Sequence, residues 1–170
     1  NNTLRRYITN VAFLGTLQDV TNTSTFSAVA PVGFQNFTSL TPKSIQADGE
    51  GVNVYVETND ASGIKAWIDW NKDNSFANPG ELVYTNAPYG ATSTTFGFVI
   101  PPGTAPGDYR IRIRNYRYYR QQGPNVTINY DDTNFNPCTN FTGNDYGETE
   151  DYLFTVVPNC PAKITQVYDG

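Results

Sequence analysis

The densest group of metal-type ligands lies in residues 67–81, WIDWNKDNSFANPGE. Asp69, Asn71 and Asp73 alternate with Trp70 and Lys72, and Asn74, Ser75, Asn78 and Glu81 follow. A hard cation such as Ca²⁺ takes roughly six to eight oxygens from carboxylates, amide carbonyls and backbone. Spacing of i, i+2, i+4 lets one turning loop aim three side chains at a single centre, the logic of the D-x-[DN]-x-[DN]-G calcium loop. Position six is Asn74, and Asn tolerates positive φ better than most residues. Glu81 falls one place later than an EF-hand requires, and no helical pattern flanks the loop. The expectation is therefore a calcium loop at the end of a strand over residues 64–68, with Asp69, Asn71, Asp73, Ser75 and Glu81 as ligands. The competing reading is a polar turn whose Asp and Asn side chains bond their own backbone.

A second acidic group, NDYGETEDY, occupies residues 144–152. Glu148, Glu150 and Asp151 are expected just before the final strand, with Gly147 letting the backbone turn. Carboxylates this close repel unless a cation or Arg side chains offset them. One available partner is the cation of the first loop, so these three join the candidate metal ligands. The other is the Arg face of residues 108–116, because bidentate Arg–carboxylate pairs suit such a place. An exposed acidic turn is the third reading. From Gln121 onward there are seven acids and one base, Lys163, whereas residues 110–120 carry five Arg. That clustering favours a second contribution to cation binding.

Catalysis is not expected. The chain has no His, which removes the commonest general base and zinc ligand. It contains no G-x-S-x-G motif or phosphate loop. A carboxylate pair for glycoside hydrolysis is the remaining option, and the acids are better explained as cation ligands and Arg partners. Binding is more plausible chemistry. Sugars stack on flat aromatic faces, which makes Trp70, Tyr89, Tyr116, Tyr118, Tyr119 and Tyr130 candidates, with Arg117 and Arg120 available for hydroxyls or carboxylates of an acidic glycan. The bland alternative has Trp70 capping the calcium loop and the tyrosines packing sheet edges. The run from Tyr116 to Arg120 also suits a protein contact, where Tyr and Arg are enriched.

The elements that must position these residues read as short strands. Val52, Val54 and Val56 alternate with Asn53, Tyr55 and Glu57; Phe96, Phe98 and Ile100 share a face; Tyr109, Ile111 and Ile113 alternate with Arg110, Arg112 and Arg114. The expected strands are residues 5–15, 34–40, 45–58, 64–68, 82–84, 92–100, 108–116, 125–130 and 151–157, with 16–25 as a polar connection. Gly, Pro and Asn turns separate them, and no helix template fits for three turns. About eight or nine such strands argue for an all-β, antiparallel sandwich of jelly-roll or Ig-like type, in one domain spanning residues 1–170.

Aromatics are 14% of residues and charged residues only 16%, which suits an extracellular all-β domain. A net charge of −5 argues against nonspecific nucleic-acid binding. No run approaches the roughly 18 apolar residues of a membrane span. Cys138 and Cys160 bracket the acidic segment and the last strand. As a disulfide they would close a loop of about 20 residues, worth roughly 3 kcal/mol; two free thiols are the alternative. The abrupt start at Asn1 leads us to expect a fragment of a longer secreted protein.

W-I-D-W-N-x-D-x-x-F…G-E followed by Y-G-E-T-E-D-Y resembles the GEVED domain, whose G-E-V-E-D-Y signature matches Gly147, Glu148, Thr149, Glu150, Asp151 and Tyr152. The family's G-x-x-R-x-R strand matches Gly107–Arg112, and its opening Y-I-x-N-V-x-F-x-G run matches Tyr7–Gly15. Thr149 departs from the family Val, Asn74 stands where Gly is commoner, and residues 116–136 form a longer Tyr- and Arg-rich insert. The resemblance implies a non-catalytic β-sandwich module of secreted, multidomain bacterial proteins, often Bacteroidetes surface proteins, peptidases and glycan-degrading enzymes. Two functions follow as expectations: a calcium-stabilised structural or adhesion module, or a carbohydrate-binding module that targets an attached enzyme to polysaccharide. A surface protein or a polysaccharide is the corresponding partner.

Overall fold

Apolar side chains at every second position can be buried only if successive strands pair with the same face inward. The computed structural model, which describes residues 6–28, 32–86, 91–117, 135–138 and 147–160, realises this with ten strands and no helix among those residues. They are β1 (Ile8–Leu14), β2 (Val20–Thr23), β3 (Phe34–Asn36), β4 (Ser44–Ala47), β5 (Gly51–Thr58), β6 (Ser62–Asp69), β7 (Leu82–Asn86), β8 (Ser93–Val99), β9 (Gly107–Arg117) and β10 (Gly147–Val157). One sheet has the order β2-β1-β5-β8 and is antiparallel throughout. The other has the order β3-β10-β9-β6-β7, and β4 also pairs with β10.

The two sheets face each other across one core. Val11, Phe13, Val52, Val54, Val56, Phe96 and Phe98 meet Ile64, Ala66, Ile68, Tyr109, Ile111, Ile113, Tyr152, Phe154 and Val156. Each such side chain contributes about 1.5–3 kcal/mol when fully buried. In β1, Ile8 and Val11 both point inward although they are three residues apart. A register irregularity between Ile8 and Asn10 absorbs the odd residue, as a bulge does.

The sandwich is therefore not purely antiparallel. β3 and β4 run parallel to β10, lying beside Thr149–Asp151 and Phe154–Val157 respectively. They form one interrupted edge line, so the chain passes β10 in a single direction. Three sequence expectations are also corrected. The expected strand over 45–58 is two strands in different sheets, broken at Gly49, whose φ of 79° suits glycine. The polar connection over 16–25 contains β2, whose Val20 is buried. β10 begins at Gly147 and not at Asp151, so the second acidic group lies inside a strand. The expected strand over 125–130 falls outside the described residues. Cys138 and Cys160 are both exposed, free thiols, not the disulfide weighed above.

Candidate metal centre

β6 and β7 form a hairpin whose neck is closed by Ile68 N–H donating to the Glu81 carbonyl at 2.8 Å. The loop between them carries the first acidic group. Asp69 ends β6 and Glu81 immediately precedes β7. Both are buried, while Asp73 is exposed at the loop surface. One carboxylate oxygen from each of the three lies within 4.8 Å of the others.

The loop geometry follows from its residue types. Asp69 takes the Asp73 amide on Oδ1 (3.1 Å) and the Asn74 amide on Oδ2 (3.0 Å). Asp73 N–H also reaches Asn71 Oδ1, and Ser75 N–H reaches Asp73 Oδ1 at 2.7 Å. These bonds to short polar side chains favour a tight turn over strand or helix. Asn74 adopts φ 65°, the left-handed backbone that position six demands; Lys72 does the same at 59°. Asn78 spans the remaining gap: its amide nitrogen donates to Asp73 Oδ2 (2.8 Å) and its backbone N–H to Glu81 Oε2 (2.9 Å).

Only amide donors meet these carboxylates; among the described residues no ion pair reaches any of the three. The hydrogen bond from the Ser75 amide, followed by those from Asn78 and Asn71, holds the Asp73 carboxyl below the ordinary aspartate range. The group contains no His or Cys and consists of three carboxylates, which are hard oxygen donors. That chemistry fits Ca²⁺ better than a softer metal.

Phe76 helps to secure the loop to the sheet. Phe76 is 3% exposed and lies over the Arg112 guanidinium at 4.6 Å. Arg112 in turn makes a two-pronged pair with Asp151, Nε to Oδ1 and Nη2 to Oδ2, both 2.7 Å. Asp151 is thus the Arg partner allowed by its position across from Arg112 in the β10–β9 register. Arg112, Arg114 and Lys65 also donate to the carbonyls of Pro137, Asn136 and Phe135.

Glu148 and Glu150 are not brought to this centre. They continue the inward alternation of Tyr152, Phe154 and Val156, and both are fully buried between the sheets. Glu148 accepts from Ile8 N–H (3.0 Å), Gln35 Nε2 (2.8 Å) and Ser27 N–H (3.4 Å). Glu150 is 2.7 Å from both Ser24 Oγ and the Tyr152 hydroxyl.

The aromatic candidates are placed differently again. Trp70 packs edge-on to Phe98 and Phe154 and tilted against Tyr109, so its ring closes one end of the core. Tyr116 lies across Gly63, where a Cβ would come within 2.2 Å of its ring, and tilts on Phe135 at 4.5 Å. Arg117 ends β9, but its side chain lies outside the described residues, as do Tyr89, Tyr118, Tyr119, Arg120 and Tyr130.

The motif W-I-D-W-N-x-D-x-x-F includes Phe76, but sequence reasoning gave it no role. It missed Ser24 and Gln35, which nothing local marks.

A family model for the GEVED domain matches residues 63–155, from β6 to β10. The chain belongs to the GEVED domain family. No curated protein matches it. Within this GEVED domain the match takes in the acidic hairpin, the Arg-bearing strand and the signature strand. Apart from Tyr152, the partners of the two signature glutamate side chains, Ile8, Ser24, Ser27 and Gln35, lie N-terminal to the matched span.

Proposed function

We propose that this GEVED domain is a non-catalytic accessory module of a secreted or cell-surface protein, serving structure and adhesion, with Ca²⁺ fixing the β6–β7 hairpin. The observation that carries the reading is the convergence of Asp69, Asp73 and Glu81 within 4.8 Å, with amide donors alone around them among the described residues. Three carboxylates at that range repel one another strongly unless a cation joins them. Asp69, Asp73 and Glu81 would be the anionic ligands, with Asn71 and Ser75 completing an oxygen shell.

A structural and adhesive role fits better than a sugar platform because the two described aromatic candidates are engaged, Trp70 in the core and Tyr116 on Gly63. It also fits better than catalysis, since Glu148 and Glu150 are sealed between the sheets. The direct test is calorimetric titration of the metal-stripped domain with Ca²⁺, followed by retention on immobilised polysaccharides and on cell-surface protein fractions with calcium and with chelator. Heat of binding that disappears in Asp69→Ala supports the site. No heat in the wild-type chain would overturn it, and calcium-dependent retention on one polysaccharide would replace adhesion by carbohydrate targeting.

A further inference from the structure

The two signature glutamates share a face and differ in the kind of partner they meet. Every contact of Glu148 is an N–H group, from Ile8, Ser27 and Gln35. Such groups can only donate, so Glu148 must accept, as a carboxylate does. Glu150 meets hydroxyls. Ser24 Oγ lies 2.7 Å from Glu150 Oε1 and 2.9 Å from the Ile8 carbonyl oxygen. A serine hydroxyl has one hydrogen to give, and the carbonyl can only accept. Both short contacts are satisfied together when Ser24 donates to Ile8 and receives a hydrogen from Glu150. On the other oxygen, Tyr152 donates to Glu150 Oε2 at 2.7 Å and accepts from Asn22 Nδ2 at 3.0 Å. The donor chain then runs in one sense, Asn22 to Tyr152 to Glu150 to Ser24 to Ile8.

We infer that Glu150 is a neutral carboxylic acid in the folded domain, and that the hydrogen bond it donates to Ser24 latches the signature strand to the opposite sheet. The electrostatics agree. Glu150 is 0% exposed, and the charged group acting on it among the described residues is Glu148, two positions along the same face. Two buried carboxylates about 7 Å apart along a strand would repel, and one proton removes the conflict. Burial, aided by the neighbouring Glu148 charge, pushes the Glu150 carboxyl up to about 8 from an ordinary 4.5. The folded chain then holds a proton that the unfolded chain has released. The stability from this latch is complete below the ordinary glutamate value. It falls as pH rises towards about 8, and is spent above it.

The test is urea unfolding of the whole chain across this pH range, with infrared spectra of the folded protein alongside. In the wild type we expect a protonated-carboxyl carbonyl band near neutral pH that bleaches on alkaline titration, and a folding constant that falls by up to about tenfold per pH unit. Glu150→Gln, whose amide can donate to Ser24 and accept from Tyr152, should fold, lose the band and lose most of the slope. Ser24→Ala should move the bleaching to lower pH, because the neutral acid loses its acceptor. A wild-type spectrum without the band overturns the inference even where a variant fails to fold. A Glu150→Gln chain that keeps the wild-type slope, or bleaching that moves upward in Ser24→Ala, does the same.

Discussion

Phe76 rests on Arg112 while Arg112 grips Asp151, so the acidic hairpin loop and the signature strand meet in one guanidinium. The Arg112 and Asp151 side chains are 16% and 4% exposed. Removing one partner from so enclosed a pair leaves a charge without compensation, at a cost of roughly 3–5 kcal/mol. Asp151→Ala should lower the unfolding free energy by about that amount in urea titration. A loss below about 1 kcal/mol would mean that the pair is solvated.

Chelation should lower the melting temperature by several degrees, because a ligand bound to the native state alone stabilises it. Asp69→Ala and Asp73→Ala should each abolish this calcium-dependent increment. Asp69→Ala will also melt lower without calcium, since the Asp73 and Asn74 amides lose their acceptor. The increment is therefore the readout, and a variant retaining all of it is not missing a ligand.

Glu148→Gln should be costly, in contrast to the same change two residues later. The new NH₂ group would face N–H donors from Ile8, Ser27 or Gln35, leaving a buried donor unmatched at about 1–3 kcal/mol. Denaturant midpoints of the two Gln variants, compared near neutral pH, make the distinction; equal midpoints would contradict it.

Both cysteines are exposed as free thiols, so the folded domain should react with about two equivalents of a thiol reagent before any denaturant is added. Zero equivalents under non-reducing conditions would indicate a bridge.

Much of this fold was legible from alternation alone. β5, β8 and β9 carry apolar residues at every second position with a polar face opposite, and that pattern dictates which side is buried. The i, i+2, i+4 spacing of Asp69, Asn71 and Asp73 marked the loop, and Asn74 adopts the backbone its type suggested. What stayed hidden has a common physical cause. β2 is short and polar, and is made a strand by pairing with β1. Glu148 and Glu150 read as candidate metal ligands because clustered carboxylates ordinarily call for a cation, yet their parity with Tyr152, Phe154 and Val156 already placed them inside. Their partners across the core, Ile8, Ser24, Ser27 and Gln35, are more than a hundred residues away in the chain and have no local signal at all.

The span of β10 has a consequence for how the chain comes to be folded. Among the described residues this strand comes last in chain order, and it is flanked by β9 on one side and by β3 and β4 on the other. Its Glu148 closes on Ile8, 140 positions earlier. Until β10 is made, β3 and β4 lack the strand they pair with, and the part of the core that Tyr152, Phe154 and Val156 fill stays open. Closure entropy for so long a loop must be met before any contact rewards it. The second sheet is therefore completed only when β10 inserts between β9 and the β3–β4 line, and that closing step should be late and slow.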